Sequence, residues 1–206
     1  MVEAYWRRSP LAGFGLPARA AAQGAAALAA AELILGERPH RCQLDLRGNP
    51  ADPDFLEAVR RATGITLPEQ PNTVATAGDL RALWLGPNEW LLVGPAGREA
   101  ELSPALAQAL AGRHAGVTDV SEARTAILIG GPQARALLAK ACPLDFHPRV
   151  FGPGQCAQSG LAGANILVEQ LDDRPTFEVS VLDSFADHLW RWLERASADW
   201  RVAIAD

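Results

Sequence analysis

The sequence lacks the features that mark membrane-spanning, secreted and nucleic-acid-binding proteins. It has no run of about 18 uninterrupted apolar residues, and its alanine-rich stretch, residues 18–37, is broken by Gln23, Gly24 and Glu32. That stretch ends in charge and not at a small-residue cleavage site, so neither a membrane span nor a signal peptide is predicted. Acidic residues outnumber basic residues by 24 to 19, giving a formal net charge of -5. Without excess cations to displace counterions from phosphates, nucleic acid is not an expected partner.

Cysteine and histidine are also scarce. Three cysteines at wide spacing cannot form a paired disulfide framework, and they do not have the spacing of a zinc knuckle. We expect them to be reduced and buried, in a cytoplasmic protein. The four histidines stand singly, without the local spacing of many metal sites, so no metal site is predicted. These residues are Cys42, Cys142, Cys156, His40, His114, His147 and His188.

Motifs for catalysis and cofactor binding are missing as well. The segment GGPQAR has glycines ahead of a predicted helix, but it lacks the Lys and Ser or Thr of a phosphate-binding loop. No G-x-G-x-x-G follows a predicted strand, and the alternating order of strands and helices typical of a dinucleotide fold is absent. We therefore predict no catalytic, cofactor-binding or metal-binding residue on this chain.

The residues that are present predict an α+β fold, since 49% are apolar and 21% charged. Residues 41–48 alternate as a half-buried strand and are followed by a helix over residues 52–64. Leu80–Leu85 and Glu89–Val93 form a hairpin around Pro87 and Asn88, and Pro104 opens a second helix, which a strand follows. The order β-α-β-β-α-β predicts a ferredoxin-like half over residues 37–120, with two helices on a four-stranded antiparallel sheet.

Residues 121–206 predict a second α+β half. A strand over residues 124–131 and a helix over residues 132–141 precede three strands, and an amphipathic helix follows. Ser184 and Asp187 resemble a capping box for that last helix. Its inward stripe is predicted to contain Phe185, Leu189, Trp192, Leu193 and Ala196, which leaves Trp190 pointing away from the core toward a partner.

The first 36 residues are interpreted as an N-terminal arm that wraps around the rest of the chain. The segment SPLAGFGLP is rich in Pro and Gly, which favours extended structure. The alanine run after it has helical propensity but no clear polar face. Periodicity does not decide whether residues 27–35 form a helix or a strand.

Two further groups of residues are candidates for an interface. Trp84 and Trp90 flank the turn of the predicted hairpin, where they would fill a core or contact a partner more readily than hold a small ligand. Asp119, Ser121 and Arg124 lie at a strand-to-strand junction. They form either a polar site at a sheet edge or, as we favour, a turn in which Asp119 and Ser121 bond local amides.

Six motifs in register resemble the gamma subunit of heterotetrameric sarcosine oxidase. They are SPLAG, LDLRGNP, LGPNEWLLV, VTDVSEARTAILIGGPQARALLAKACPLDF, GQCAQSGLA and SFADHLWRWLERA, and together they cover most of the chain. Residues 118–141 also resemble the folate-binding fold of glycine-cleavage aminomethyltransferases.

The resemblance implies a non-catalytic subunit beside alpha, beta and delta subunits. Those subunits would hold FAD, FMN, NAD, tetrahydrofolate and zinc, and the complex would oxidatively demethylate sarcosine or a similar N-methyl amino acid. The alternative is a free-standing folate-binding or aminomethyltransferase-like protein. Such a protein would need a carboxylate for the pterin, for which Asp119, Glu122 or Glu169 are candidates.

Overall fold

The structure, a computed structural model, describes residues 7–205 and contains two β-sheets with helices on their outer faces. None of the helices in this range is long and apolar enough to cross a membrane. A short 3-10 turn, Ala12–Phe14, precedes the first α-helix. The helices are α1 (Leu16–Ala30), α2 (Pro53–Thr63), α3 (Glu99–Ala109), α4 (Ala134–Ala139) and α5 (Asp183–Ala196). The strands are β1 (Leu33–Arg38), β2 (Cys42–Arg47), β3 (Val74–Ala77), β4 (Leu80–Gly86), β5 (Glu89–Gly94), β6 (Gly116–Asp119), β7 (Arg124–Gly130), β8 (Cys156–Leu161), β9 (Ala164–Asp172), β10 (Thr176–Leu182) and β11 (Val202–Ala205).

The five-stranded sheet has the predicted ferredoxin-like connectivity. Its order is β3-β4-β5-β2-β6, and every neighbouring pair is antiparallel. The four predicted strands occupy the order β4-β5-β2-β6, while β3 is an additional edge strand that the sequence did not indicate. With only four residues, β3 is too short to show a period-two pattern.

Local sequence explains the helices that cover this sheet. Asp52 caps α2 by accepting a hydrogen bond from the backbone N–H of Asp54 at 3.0 Å, and Pro53 occupies the first helical position. Gly64 ends the helix in the left-handed conformation, with φ of 76°. Buried side chains from α2, α3 and the sheet form one core, which includes Phe55, Val59, Leu102, Leu106, Leu44, Leu46 and Trp90.

The start of α3 differs from the prediction. The helix begins at Glu99, and Pro104 lies inside it instead of opening it. The backbone N–H of Leu102 already donates to the carbonyl of Arg98 at 2.9 Å, so one turn exists before Pro104. A proline at this position lacks a backbone donor and its ring crowds the carbonyl of Ala100, and packing of Leu102 and Leu106 into the core offsets that cost.

The six-stranded sheet unites the two ends of the chain. Its order is β11-β1-β7-β10-β9-β8, antiparallel throughout except that β1 and β11 are parallel. Residues 27–35, for which helix and strand were both left open, contain the end of a helix and the start of a strand: α1 ends at Ala30 and β1 begins at Leu33. The expected boundary after residue 36 falls inside β1, and the division into domains stays a prediction.

Trp190 is buried, which corrects the prediction that its ring leaves the core. The buried stripe of α5 consists of Ala186, Leu189, Trp190 and Leu193, whereas Phe185 is 43% exposed. The Trp190 ring lies 6.1 Å from the ring of Phe14, centroid to centroid. Phe14 comes from a distant segment, so the helix alone did not reveal which of its faces would be covered. The helix also has no side-chain cap, contrary to the predicted capping box.

The two sheets meet through faces turned away from the helices. Leu83, Leu91 and Val93 of the five-stranded sheet pack with Cys156 and Leu167 of the six-stranded sheet in a separate apolar cluster. Backbone hydrogen bonds also join the two sheets, between the start of β3 and the start of β8. Cys156 N–H donates to the Asn72 carbonyl at 3.0 Å, and Val74 N–H donates to the Gly154 carbonyl at 2.9 Å. Because of this contact, strands such as β4 and β5 are buried on both faces, one face against the helices and the other against the second sheet.

We predict that Gly48→Ala destabilises the chain by about 1 to 3 kcal/mol, because the new Cβ would overlap with the ring of Phe55 in the core. Gly116→Ala is the matched control, since no atom lies within 4 Å of the added Cβ. The free energy of unfolding, measured by urea titration, should change by less than about 0.5 kcal/mol in the control. Equal midpoints for the two variants would contradict the packing described here.

Candidate functional site

Trp84 and Trp90 lie opposite each other on β4 and β5, on the face that packs against the helices. Trp90 is fully buried; its Nε1 donates to the Pro68 carbonyl at 2.7 Å and its ring lies 5.9 Å from that of Phe55. Trp84 is half-buried against the same core. Trp90 therefore fills the core, and of the two rings only Trp84 keeps surface that a partner can contact.

The Asp119–Arg124 junction is a turn, as favoured from the sequence. Asp119 Oδ1 accepts hydrogen bonds from the backbone N–H and the hydroxyl of Ser121, at 3.0 and 2.6 Å. The buried Ser121 hydroxyl in turn accepts from the backbone N–H of Gln43 at 2.9 Å. The turn thus connects β6 of one sheet to β7 of the other and fixes the position of both. Arg124 is half-buried at the start of β7.

A cluster of four charged side chains, which sequence reasoning missed, lies between the sheets. Arg81 of β4 contacts Glu169 of β9 through Nη1 and Oε2 at 3.0 Å. It also donates from Nη2 to Glu178 Oε1 of β10 at 2.7 Å. Arg41, just ahead of β2, donates from Nη2 to Glu178 Oε2 at 3.2 Å. We call this group the inter-sheet ion cluster. Two guanidinium groups face two carboxylates, so its net charge is zero when all four are ionised.

A signal for this cluster was present in the sequence. Arg81, Glu169 and Glu178 each interrupt a strand in which the neighbouring residues on both sides are buried. A charged residue in such a strand must face a charge of opposite sign, because burying an unpaired ion costs several kcal/mol. The pairing partners come from distant strands, which is why the pattern does not identify them.

Burial changes the ionisation of the cluster. Desolvation raises the pKa of Glu169 to about 7; Arg81 opposes the rise and the neighbouring Glu178 adds to it. For Arg81 burial acts in the opposite direction, but Glu178 and Glu169 together raise its pKa above the ordinary value. Arg81 therefore stays charged, and Glu169 exchanges its proton near neutral pH.

The carboxylates considered for a pterin do not converge. Glu169 is 4% exposed and is held by Arg81. Asp119 and Glu122 line a shallow depression of about 400 Å³ on the surface, where Asp119 bonds Ser121 and Glu122 pairs with Arg7. Each carboxylate thus has its own partner within the chain.

The cysteines are buried and unpaired, as expected. Burial raises the pKa of the Cys42 thiol to about 11 and that of Cys156 to about 12, so neither thiol forms a nucleophilic thiolate at neutral pH. Cys142 Sγ lies 3.7 Å from the hydroxyl of Ser159. Within residues 7–205, no group of three or more His, Cys, Asp or Glu side chains is arranged to hold a metal ion.

We predict that Glu169→Gln flattens the pH dependence of stability between pH 4.5 and 7. The raised pKa means that the folded chain keeps a proton that the unfolded chain releases, so this carboxyl's contribution to stability is present below pH 4.5 and is lost as pH rises through about 7. The wild-type loss over this window should exceed that of the variant by at most about 3 kcal/mol.

Urea titrations at several pH values check this expectation. Glu69→Gln, at an exposed position, is the matched control and should follow the wild type. If Glu169→Gln loses as much free energy of unfolding as the wild type when pH rises from 4.5 to 7, Glu169 does not titrate in this window.

Comparison with known proteins gives one consistent result. A family model described as the sarcosine oxidase gamma subunit family matches residues 47–199. The sarcosine oxidase subunit gamma of Corynebacterium sp. (strain P-1) is 34% identical over 195 residues, 94% of this chain and 91% of that protein. That of an Arthrobacter species is 33% identical over the same shares of both chains.

Solved structures give the same relationship. The heterotetrameric sarcosine oxidase from Corynebacterium sp. U-96, solved in complex with pyrrole 2-carboxylate, contains a chain that matches with a TM-score of 0.82 and 32% identity. The match covers 97% of this chain and 99% of that chain. The glycine cleavage system aminomethyltransferase T from Bartonella henselae matches with a TM-score of 0.64, at 18% identity over 87% of this chain and 49% of that chain.

The aminomethyltransferase likeness shows the fold alone, and it confirms the predicted α+β class with a folate-binding-like half. The family model covers most of this chain, and the alignments with the relatives cover most of this chain and of each relative, in agreement with the motifs of the sequence. The chain belongs to the sarcosine oxidase gamma subunit family.

Proposed function

We propose that this chain is a non-catalytic gamma subunit of a heterotetrameric sarcosine oxidase-type complex. The observation that carries the proposal is the match, with a TM-score of 0.82, to a chain of a heterotetrameric sarcosine oxidase over 99% of that chain. No large insertion or missing element separates the two chains, so the surfaces available for assembly are expected to correspond.

The chemistry of the described residues supports a structural role. The thiols of Cys42 and Cys156 are buried with raised pKa values, and the buried carboxylates Glu169 and Glu178 face guanidinium groups of the same chain. These two thiols and two carboxylates are thus engaged inside the protein. Reactive groups in an active site need access to substrate as well as a suitable pKa.

The finer parts of the proposal concern the rest of the complex. Its partners would be alpha, beta and delta subunits, with FAD, FMN, NAD, tetrahydrofolate and zinc held outside this chain. The complex would oxidatively demethylate sarcosine or a similar N-methyl amino acid in the cytoplasm. The net charge of -5 agrees with protein partners and disfavours nucleic acid.

We expect the chain to co-elute stoichiometrically with the larger flavoprotein subunits when all four genes are expressed together. Affinity purification through a tag on this chain, followed by size-exclusion chromatography and mass spectrometry, measures the subunit ratio. Stable flavoprotein subunits that elute without this chain would refute the proposal.

The alternative function is a free-standing folate-binding or aminomethyltransferase-like protein, which the fold likeness at a TM-score of 0.64 raises. We expect isothermal titration calorimetry with tetrahydrofolate at millimolar concentration to give no binding heat on the purified chain, because Asp119, Glu122 and Glu169 each have partners within the chain. A saturable heat, together with a rise in melting temperature, would favour the alternative.

A further inference from the structure

One corner of the six-stranded sheet combines an unpaired cation with exposed apolar side chains. Arg124 at the start of β7 pairs in register with Leu182 at the end of β10. Both residues line a depression of about 450 Å³ together with Gln158 of β8 and Asn165 of β9. Phe185 follows Leu182 by three residues in the first turn of α5. We call these five residues the corner patch.

The charge of Arg124 is not balanced by any residue that the structure describes. Arg124 is a half-buried residue, and its guanidinium group makes no hydrogen bond or ion pair with any residue between positions 7 and 205. Two carboxylates belong to the same corner, but Glu122 pairs with Arg7 and Asp183 forms no ion pair with Arg124. A guanidinium group with free N–H donors favours an anionic acceptor.

The polar neighbours of Arg124 have unused hydrogen-bonding groups. Gln158 donates from Nε2 to the Leu85 carbonyl at 2.9 Å, which leaves its own carbonyl oxygen available. The side-chain amide of Asn165 makes no hydrogen bond within the described part of the chain. The depression can therefore take up the polar groups of a peptide beside a carboxylate.

Apolar side chains are exposed at this corner: Leu182 lines the depression, and Phe185 follows three residues later in α5. Leu182 is 39% exposed and Phe185 is 43% exposed, and they are two of only four large apolar side chains exposed between residues 7 and 205. Arginine and aromatic residues are enriched at the centres of protein interfaces, where neighbouring apolar groups exclude water. A small carboxylic acid could satisfy Arg124, but it would leave Leu182 and Phe185 in water.

We propose that the corner patch docks a partner subunit through a segment that places a carboxylate on Arg124 and apolar side chains on Leu182 and Phe185. This inference rests on the proposed function and specifies one of its contact surfaces. A second copy of this chain is the alternative occupant that sedimentation tests below, since a two-fold contact through the corner patch would set Arg124 against Arg124.

Co-expression of the four subunits with two patch variants tests this surface. Arg124→Glu reverses the unpaired charge, and the double variant Leu182→Ser/Phe185→Ser removes two exposed apolar groups without opening the core. We expect each to weaken retention of this chain by the flavoprotein subunits at least about tenfold. Arg174→Glu, whose side chain is 90% exposed in the β9–β10 turn, is the matched control and should stay within about twofold of the wild type.

The outcomes separate the two proposals. Loss of wild-type assembly refutes the proposed function itself, whereas full assembly of both patch variants refutes only the corner patch. If Arg124→Glu fails to fold by circular dichroism, the apolar double variant decides alone. Sedimentation of the purified chain checks the second-copy arrangement: a concentration-dependent dimer that Arg124→Glu abolishes would overturn the proposed partner.

Discussion

The contact of Arg81 with both Glu169 and Glu178 is the constraint on which the arrangement of the two sheets depends. If the Arg81 guanidinium group of the five-stranded sheet moved away, the buried carboxylates of Glu169 and Glu178 in the six-stranded sheet would lose the positive charge that compensates them. Such a cluster adds little net stability, because desolvation cancels most of the attraction, but removing one member costs about 3 to 5 kcal/mol. The adjacent apolar cluster around Leu83 and Leu167 supplies the favourable burial. The ion cluster thus sets orientation, while apolar packing supplies stability.

The chain path reinforces this arrangement at several points. β1 leads directly to β2 and β6 leads through the Asp119–Ser121 turn to β7, so the chain crosses twice between the sheets over short connections. Arg7, near the start of the described range, pairs with Glu99 of α3 and with Glu122 in the turn. Its segment therefore spans both halves. The early strand β1 and the last strand β11 form a parallel pair in the six-stranded sheet. That sheet therefore combines strands from before and after the five-stranded sheet, whose strands all lie between Cys42 and Asp119.

Elements whose pattern is local could be predicted, and elements defined by distant partners could not. The alternation of β2, the hairpin of β4 and β5, and the run from β8 to β10 follow from periodicity and turn residues alone. β3 and β11 have four residues each and exist because a neighbouring strand offers an edge. Trp190 is buried in a large core against which Phe14 of a distant segment also packs, and no helical pattern encodes that contact. For the site, the Asp119–Ser121 turn was predictable from local hydrogen bonding, whereas the ion cluster joins residues more than 80 positions apart.

The distribution of paired and unpaired groups explains why a fold shared with an aminomethyltransferase can serve a different purpose. A ligand-binding protein keeps polar groups in its binding pocket free for the ligand. Burying such groups without a partner destabilises the fold, and ligand binding offsets that loss of free energy. Here the charges of the inter-sheet ion cluster are matched by residues of the same chain, and Glu169 and Arg81 are held together in the sheet contact. Arg124, which has no such partner within residues 7–205, lies at an outer corner near exposed Leu182 and Phe185. The half-buried residue Arg124 is therefore better placed than the inter-sheet ion cluster to contact another protein, in agreement with the membership of the chain in the sarcosine oxidase gamma subunit family.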